Sequence, residues 1–236
     1  MDVNSFWADE LTALERLCMS SFVQSGITYN LYVYDKPAGV PAGVAVRDAS
    51  KILPRDQVFR YNAGNFNRGS VSGFSNLFRY LVIHQRGGWW IDTDICFLHD
   101  FDQPAAHVFF RAPRQTKEFA IASAIFKAPA GSPTLARCLD EFRKKDVSQI
   151  VHGETGPTLL TQCVLASGNQ SAVLPSQHVF PVPWWEFQKL FFDEELSLDD
   201  ASAVHFWNAM VTDAQLDKNS SFPPNGAFER LKRRYL

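Results

Sequence analysis

The apolar positions of this chain fall into short periodic runs punctuated by glycine and proline. From residue 10 to 25, Leu11, Leu14, Leu17, Cys18 and Phe22 recur at three- and four-residue spacing, which predicts an amphipathic helix closed by Gly26. Residues 4–7 read as a short strand before it. Residues 28–34 (TYNLYVY), rich in β-branched and aromatic side chains, read as a strand after it. Residues 37–41, bounded by two prolines, make a turn. A strand, a helix and a strand in that order imply an α/β sandwich on a mixed, mainly parallel sheet with flanking helices.

The next periodic stretch is the most informative. Phe74, Leu77, Phe78, Leu81 and Val82 lie at i, i+3, i+4, i+7 and i+8, one buried face of a helix that Gly87-Gly88 ends. Residues 89–91 then read as an apolar strand that runs on into Asp92-Thr93-Asp94. Further along, residues 119–128 predict a buried strand and 133–144 an amphipathic helix. Residues 158–166 predict a shorter helix, with Pro157 suited to its first turn. From Val173 the chain is aromatic and proline-rich, which predicts loops packed over a site. Neither a repeat nor a linker is visible, so a single domain over residues 1–236 is expected.

Composition narrows the class. Hydrophobic residues make up 46% and aromatics 14%, with 20 Phe and 6 Trp, enough for one sizeable core. A net charge of −2 leaves no electrostatic footprint for nucleic acid. The basic cluster at the C-terminal end, Lys232, Arg233 and Arg234, reads as a solvated helix end. Cys18, Cys96, Cys138 and Cys163 show no paired spacing and read as free thiols in a reducing compartment. The acidic N-terminus MDVNSFWADE lacks the apolar run of a secretory signal, and no run approaches the roughly 20 residues that span a bilayer. A cytoplasmic protein is the expectation, with at most peripheral membrane contact.

The candidate chemistry is Asp92 and Asp94. Two apart on a strand, their side chains would share a face, where two carboxylates repel unless a cation or donors compensate. Mg²⁺ or Mn²⁺, held by one or two carboxylates, takes its remaining ligands from water and phosphates. An Asp-x-Asp alone is weak, because aspartate pairs are common in turns. Trp89, Trp90 and Ile91 before it make this a costly place for unpaired charge. Asn76 and Arg79 lie one turn apart on the preceding helix, off its apolar face. Arg79 could contact a ligand or pair with Asp92 or another acid.

With these residues in view, the run FSNLFRYLVIHQRGGWWIDTDICFLHDFD resembles the sugar-binding signature of the DXD-containing glycosyltransferases of GT-A type. That family includes globotriaosylceramide synthase, yeast initiating mannosyltransferases and bacterial polysaccharide enzymes. HGETGPTLLTQC (152–163), AVHFWN (203–208) and the opening NSFWADELTALERLCMSSFVQSG are similar to other segments of the family, in the family's order. The resemblance implies a metal-dependent transferase with a nucleotide-sugar-binding half over about residues 1–110 and an acceptor-side half over about 111–236. It implies Mn²⁺ or Mg²⁺ as cofactor. The donor would be a nucleotide sugar, with UDP-hexose or UDP-hexosamine favoured. The acceptor would be a glycan or surface polysaccharide, a lipid-linked acceptor or a protein, and transfer would retain the anomeric configuration.

Carried over residue by residue, the resemblance places Trp7 at the nucleobase and Asn76 and Arg79 at the donor sugar. Asp92 would touch ribose or sugar hydroxyls and the metal indirectly, and Asp94 would bind the metal directly. His205, Trp207 and Asn208 would close the donor site, with His205 or Asn208 near metal and diphosphate. Asp92, Asp94 and Arg79 form the catalytic set. Two positions depart from the pattern: Asn76, where the family has Asp, and Ala8, where related chains often have Gly. Asn can still donate and accept, so sugar preference rather than binding is in question. No nucleophilic triad and no GxxxxGK[ST] loop is readable. A haloacid-dehalogenase phosphatase also uses Asp-x-Asp after a strand, but needs the pair near its N-terminus and a later acidic motif. The alternative that survives is a catalytically degenerate transferase fold that binds nucleotide or glycan.

Overall fold

The structure is a computed structural model and describes residues 1–64 and 66–236. Its strands are β1 (Asp2–Phe6), β2 (Thr28–Val33), β3 (Ala45–Asp48), β4 (Gly88–Ile91), β5 (Ile95–Phe97), β6 (Val108–Arg111), β7 (Ile121–Ala128), β8 (Val173–Leu174) and β9 (Ala203–His205). Its helices are α1 (Ala13–Gln24), α2 (Ser72–Arg86), α3 (Pro133–Arg143), α4 (Leu159–Ala166), α5 (Lys189–Phe192), α6 (Asn208–Asp213) and α7 (Ala227–Tyr235).

Seven strands form one sheet in the order β3-β2-β1-β4-β7-β6-β8, while β5 and β9 pair as a separate ribbon. The pairs β1–β2, β2–β3, β1–β4 and β6–β8 are parallel; β4–β7 and β6–β7 are antiparallel. The mixed, mainly parallel sheet expected from the sequence is therefore present. Side chains alternate across it: Phe6 and Trp90 pack against α2, α3 and α4, whereas Val3, Trp89 and Ile91 face the opposite side with Met19 and Phe22 of α1.

Chain order reverses between β1 and β4, whose neighbours β2 and β7 lie on opposite sides. In open α/β sheets such a reversal leaves a crevice at the carboxyl ends of the strands, where ligands bind. Trp7 follows β1 directly and Asp92 follows β4 directly.

One expectation is corrected here. β4 ends at Ile91, and Asp92-Thr93-Asp94 form the turn into β5, closed by the Ile95 amide donating to the Asp92 carbonyl at 3.1 Å. The carboxylates converge through this turn and not through strand pleating. The region after Val173 is also more regular than loops alone. It supplies α7, whose Phe228, Leu231 and Tyr235 bury against Leu14, Leu17 and Cys18 of α1. The basic residues 232–234 do end a helix, with Lys232 paired to Glu229 at 2.6 Å. All four cysteines are free and buried. Among the described residues, no helix is long and apolar enough to cross a membrane.

Candidate active site

The crevice opens into a cavity of about 1240 Å³ lined by Trp7, Asn76, Arg79, Asp92, Asp94, His205, Trp207 and Asn208, among others. The residues singled out in the sequence thus share one site, although they come from four separate regions of the chain.

Arg79 reaches the turn from α2. Its guanidinium lies 3.1 Å from Asp92 Oδ1, and the indole N–H of Trp90 donates to the same oxygen at 2.7 Å. Arg79 also donates to the Ser75 and Ser123 carbonyls and lies over the Trp90 ring, 5.1 Å from its centroid. Arg79 thus forms the ion pair with Asp92 and also lines the cavity.

The ribbon brings the tail to Asp94. β9 runs antiparallel to β5 with His205 opposite Ile95, and the Phe206 amide donates to the Asp94 carbonyl at 2.9 Å. That register sets His205 Nε2 at 3.0 Å from Asp94 Oδ2. Trp207 then takes a left-handed conformation (φ 56°, ψ 54°), which starts α6 so that the Asn208 amide donates to Asp94 Oδ2 at 2.7 Å. A carboxylate at a helix N-terminus meets both an unpaired N–H and the favourable end of the dipole. The Trp207 and Phe180 rings hold the imidazole, at centroid distances of 4.0 and 5.7 Å.

The two aspartates are driven apart electrostatically. Burial raises the Asp92 pKa, with repulsion from Asp94 adding to it and Arg79 opposing. Burial acts on Asp94 as well, but His205 and the Asn208 amide outweigh it and lower its pKa. Two interacting buried carboxylates titrate as a pair, and a cation between them would favour the charged form of both.

The arrangement fits a hard divalent ion. Ligand atoms of Asp92, Asp94 and His205 lie within 4.8 Å of one another. The bonds just described use one oxygen of each aspartate and leave the other oxygen of each for a cation, the donor set that Mg²⁺ and Mn²⁺ take. His205 Nδ1 is buried without a partner. The Asn208 side-chain oxygen instead accepts from Lys218 at 3.0 Å.

Asn76 is buried. Its amide donates to Thr155 Oγ1 at 3.2 Å and packs against Gly156, where a Cβ would lie 3.1 Å from Asn76 and 3.0 Å from Ser123 Oγ. The glycine-proline segment 154–158 is therefore shaped around position 76. Sequence reasoning missed Lys218 and Glu15. Lys218 sits in a polar turn that reads as solvated. Glu15 did carry a signal, a charge on the apolar face shared by Leu11 and Cys18, and it follows Thr12 in a capping box.

An open α/β sheet with this switch point and a paired-aspartate turn is the arrangement of the GT-A fold of glycosyltransferases, and solved structures of that fold match it. The solved structure of the glycosyltransferase GlyE from Streptococcus pneumoniae matches with a TM-score of 0.56 at 11% identity, over 98% of this chain and 60% of that one. The galactosyltransferase LgtC, solved with donor and acceptor sugar analogs, matches at a TM-score of 0.45 and 10% identity over 87% of each chain. In sequence, residues 127–235 match the family model of the alpha 1,4-glycosyltransferase conserved region. Lactosylceramide 4-alpha-galactosyltransferase of Mus musculus is 26% identical over 162 residues, 62% of this chain and 44% of that protein. The chain thus spans less than half the length of this curated relative. The resemblance drawn from the sequence is borne out, and the fold is GT-A.

Proposed function

We propose that this protein is a metal-dependent glycosyltransferase that moves a sugar from a nucleotide-sugar donor to a glycan or surface-polysaccharide acceptor with retention of configuration. The observation that carries this reading is the convergence of Asp92, Asp94 and His205 at the crevice between β1 and β4. UDP-hexose or UDP-hexosamine is the favoured donor, on family resemblance. Trp7 borders the nucleobase, Arg79 fixes the orientation of Asp92, and Asp94 is held by His205 and the Asn208 amide. Bound Mn²⁺ or Mg²⁺ would supply charge neutralisation for the departing diphosphate. Acceleration rests on positioning and on preorganised charge, with the leaving diphosphate assisting the incoming hydroxyl. A trapped glycosyl-enzyme adduct or an inverted linkage would contradict that route.

The test is calorimetric titration of UDP and GDP with and without Mn²⁺. One nucleotide is expected to bind in a Mn²⁺-dependent way, with binding lost in Asp94→Ala. Asn76 favours a second reading, a transferase fold that binds nucleotide or glycan without turnover, because the position takes Asn and its amide is already engaged by Thr155. Turnover of any nucleotide sugar by the intact chain, abolished in Asp94→Ala, decides for the enzyme.

A further inference from the structure

Glu15 is fully buried on α1, among Leu14, Leu17 and Cys18. A carboxylate there is tolerable only if it is paired. One of its oxygens accepts from the Thr12 amide at 2.8 Å and from the Thr12 hydroxyl; the other accepts from Lys218 Nζ at 2.6 Å, across 203 positions of sequence. A contact serving only to tie the tail to α1 would need no access to the cavity. Lys218 does line the cavity, and Glu15 does not. The Lys218 ammonium also donates to Asn208 Oδ1 at 3.0 Å and lies over the Trp7 ring, 5.6 Å from its centroid. It therefore touches both the aromatic at one end of the site and, through Asn208, the group that donates to Asp94 at the other. An ammonium has three donors, and these two hydrogen bonds use two of them.

We propose that Lys218 is the cation that binds the diphosphate of the nucleotide donor, and that buried Glu15 is the positioning residue that fixes its ammonium between Trp7 and Asp94. This rests on the donor-site reading above. A nucleoside diphosphate bound with its base at Trp7 and its terminal phosphate at the aspartate turn must carry its phosphates between the two. Among the described residues, Lys218 is the cation whose contacts reach both flanks of that gap, Trp7 and Asn208. Glu15 removes the freedom that a lysine in a surface turn would otherwise lose on binding.

The experiment titrates UDP and uridine, and GDP and guanosine, in the presence of Mn²⁺ into the intact chain and into Lys218→Ala, Lys218→Arg and Glu15→Gln. Thermal unfolding of each variant is recorded alongside. The proposal expects Lys218→Ala to weaken the nucleoside diphosphate by about ten- to a hundredfold while the nucleoside is unaffected. Lys218→Arg should recover most of that loss, and Glu15→Gln should lower the diphosphate-to-nucleoside affinity ratio by a smaller factor. A structural clamp would weaken both ligands together, in step with stability. An unchanged ratio in Lys218→Ala and Glu15→Gln overturns the proposal while the donor site stands. If the intact chain binds neither nucleoside diphosphate, the donor-site reading fails and this inference with it.

Discussion

Arg79 shows how much of a side chain's environment lies beyond its position in the sequence. Off the apolar stripe of α2, it reads as open to a ligand or to an acid; in the fold it lines the cavity while its donors go to Ser75, Ser123 and Asp92, with Trp90 under the guanidinium. Its main work is to keep Asp92 charged and oriented in a place where burial opposes that charge. Removing one partner of a buried pair leaves the other uncompensated. Asp92 keeps some solvent contact, so Arg79→Met should cost about 2 kcal/mol, less than a fully buried pair would. Asp92→Asn in the same chain should return part of that loss. A double-mutant cycle in urea measures both. The pairing of Arg79 with Asp92 was open to reading from the sequence, but the partners of Asp94 were not: its hydrogen bonds depend on a turn and on a strand far down the chain.

At the scale of elements, legibility followed length and period. The sequence reading places α1, α2, α3 and β7 within a few residues of their observed ends, because each carries a sustained apolar stripe or run. β9 went unread because three residues carry no measurable period. The junction between α2 and β4 was read from its glycines, and the structure explains why they are needed. Gly87 sits at φ 71°, ψ −174°, a region open essentially to glycine, and a Cβ there would lie 2.8 Å from the Ala130 backbone nitrogen. Gly87→Ala should therefore cost at least about 2 kcal/mol, combining backbone strain with a clash against main chain that has no flexible end to yield. The midpoint of chemical denaturation reads this directly. Because the junction aims β4 at the aspartate turn, nucleotide affinity should fall as well.

Over the whole molecule, Asp102 ties the segment between β5 and β6 to the paired strands β4 and β7. It accepts from the Trp89 indole of β4 and from Lys127 of β7, each at 2.9 Å, in the segment between β5 and β6. Burial works against its charge, but Lys127 and Trp89 outweigh it and hold the pKa below 3.8. The folded state thus binds fewer protons than the unfolded chain in that range. The stabilisation is fully present above the unfolded value and is lost as pH falls through the depressed folded one. Asp102→Asn should be less stable than the parent by a constant margin from neutrality to about pH 5, and the margin should close as pH falls through the depressed folded value. Urea melts of both proteins across that range give the comparison.

The pairing of Asp94 with His205 spans 111 positions, and Lys218 lies further on still. A ribosome builds the chain in one direction, so the strands β1 to β7 emerge before any residue that steadies Asp94 from the tail. Until β9 and α6 have followed, the nascent chain has the sheet and the aspartate turn but lacks the imidazole, the helix amide and the lysine. On the proposed reading of the site, competence to hold a charged ligand is therefore gained late in synthesis, and a polypeptide interrupted before residue 203 lacks the residues that steady Asp94 from the tail.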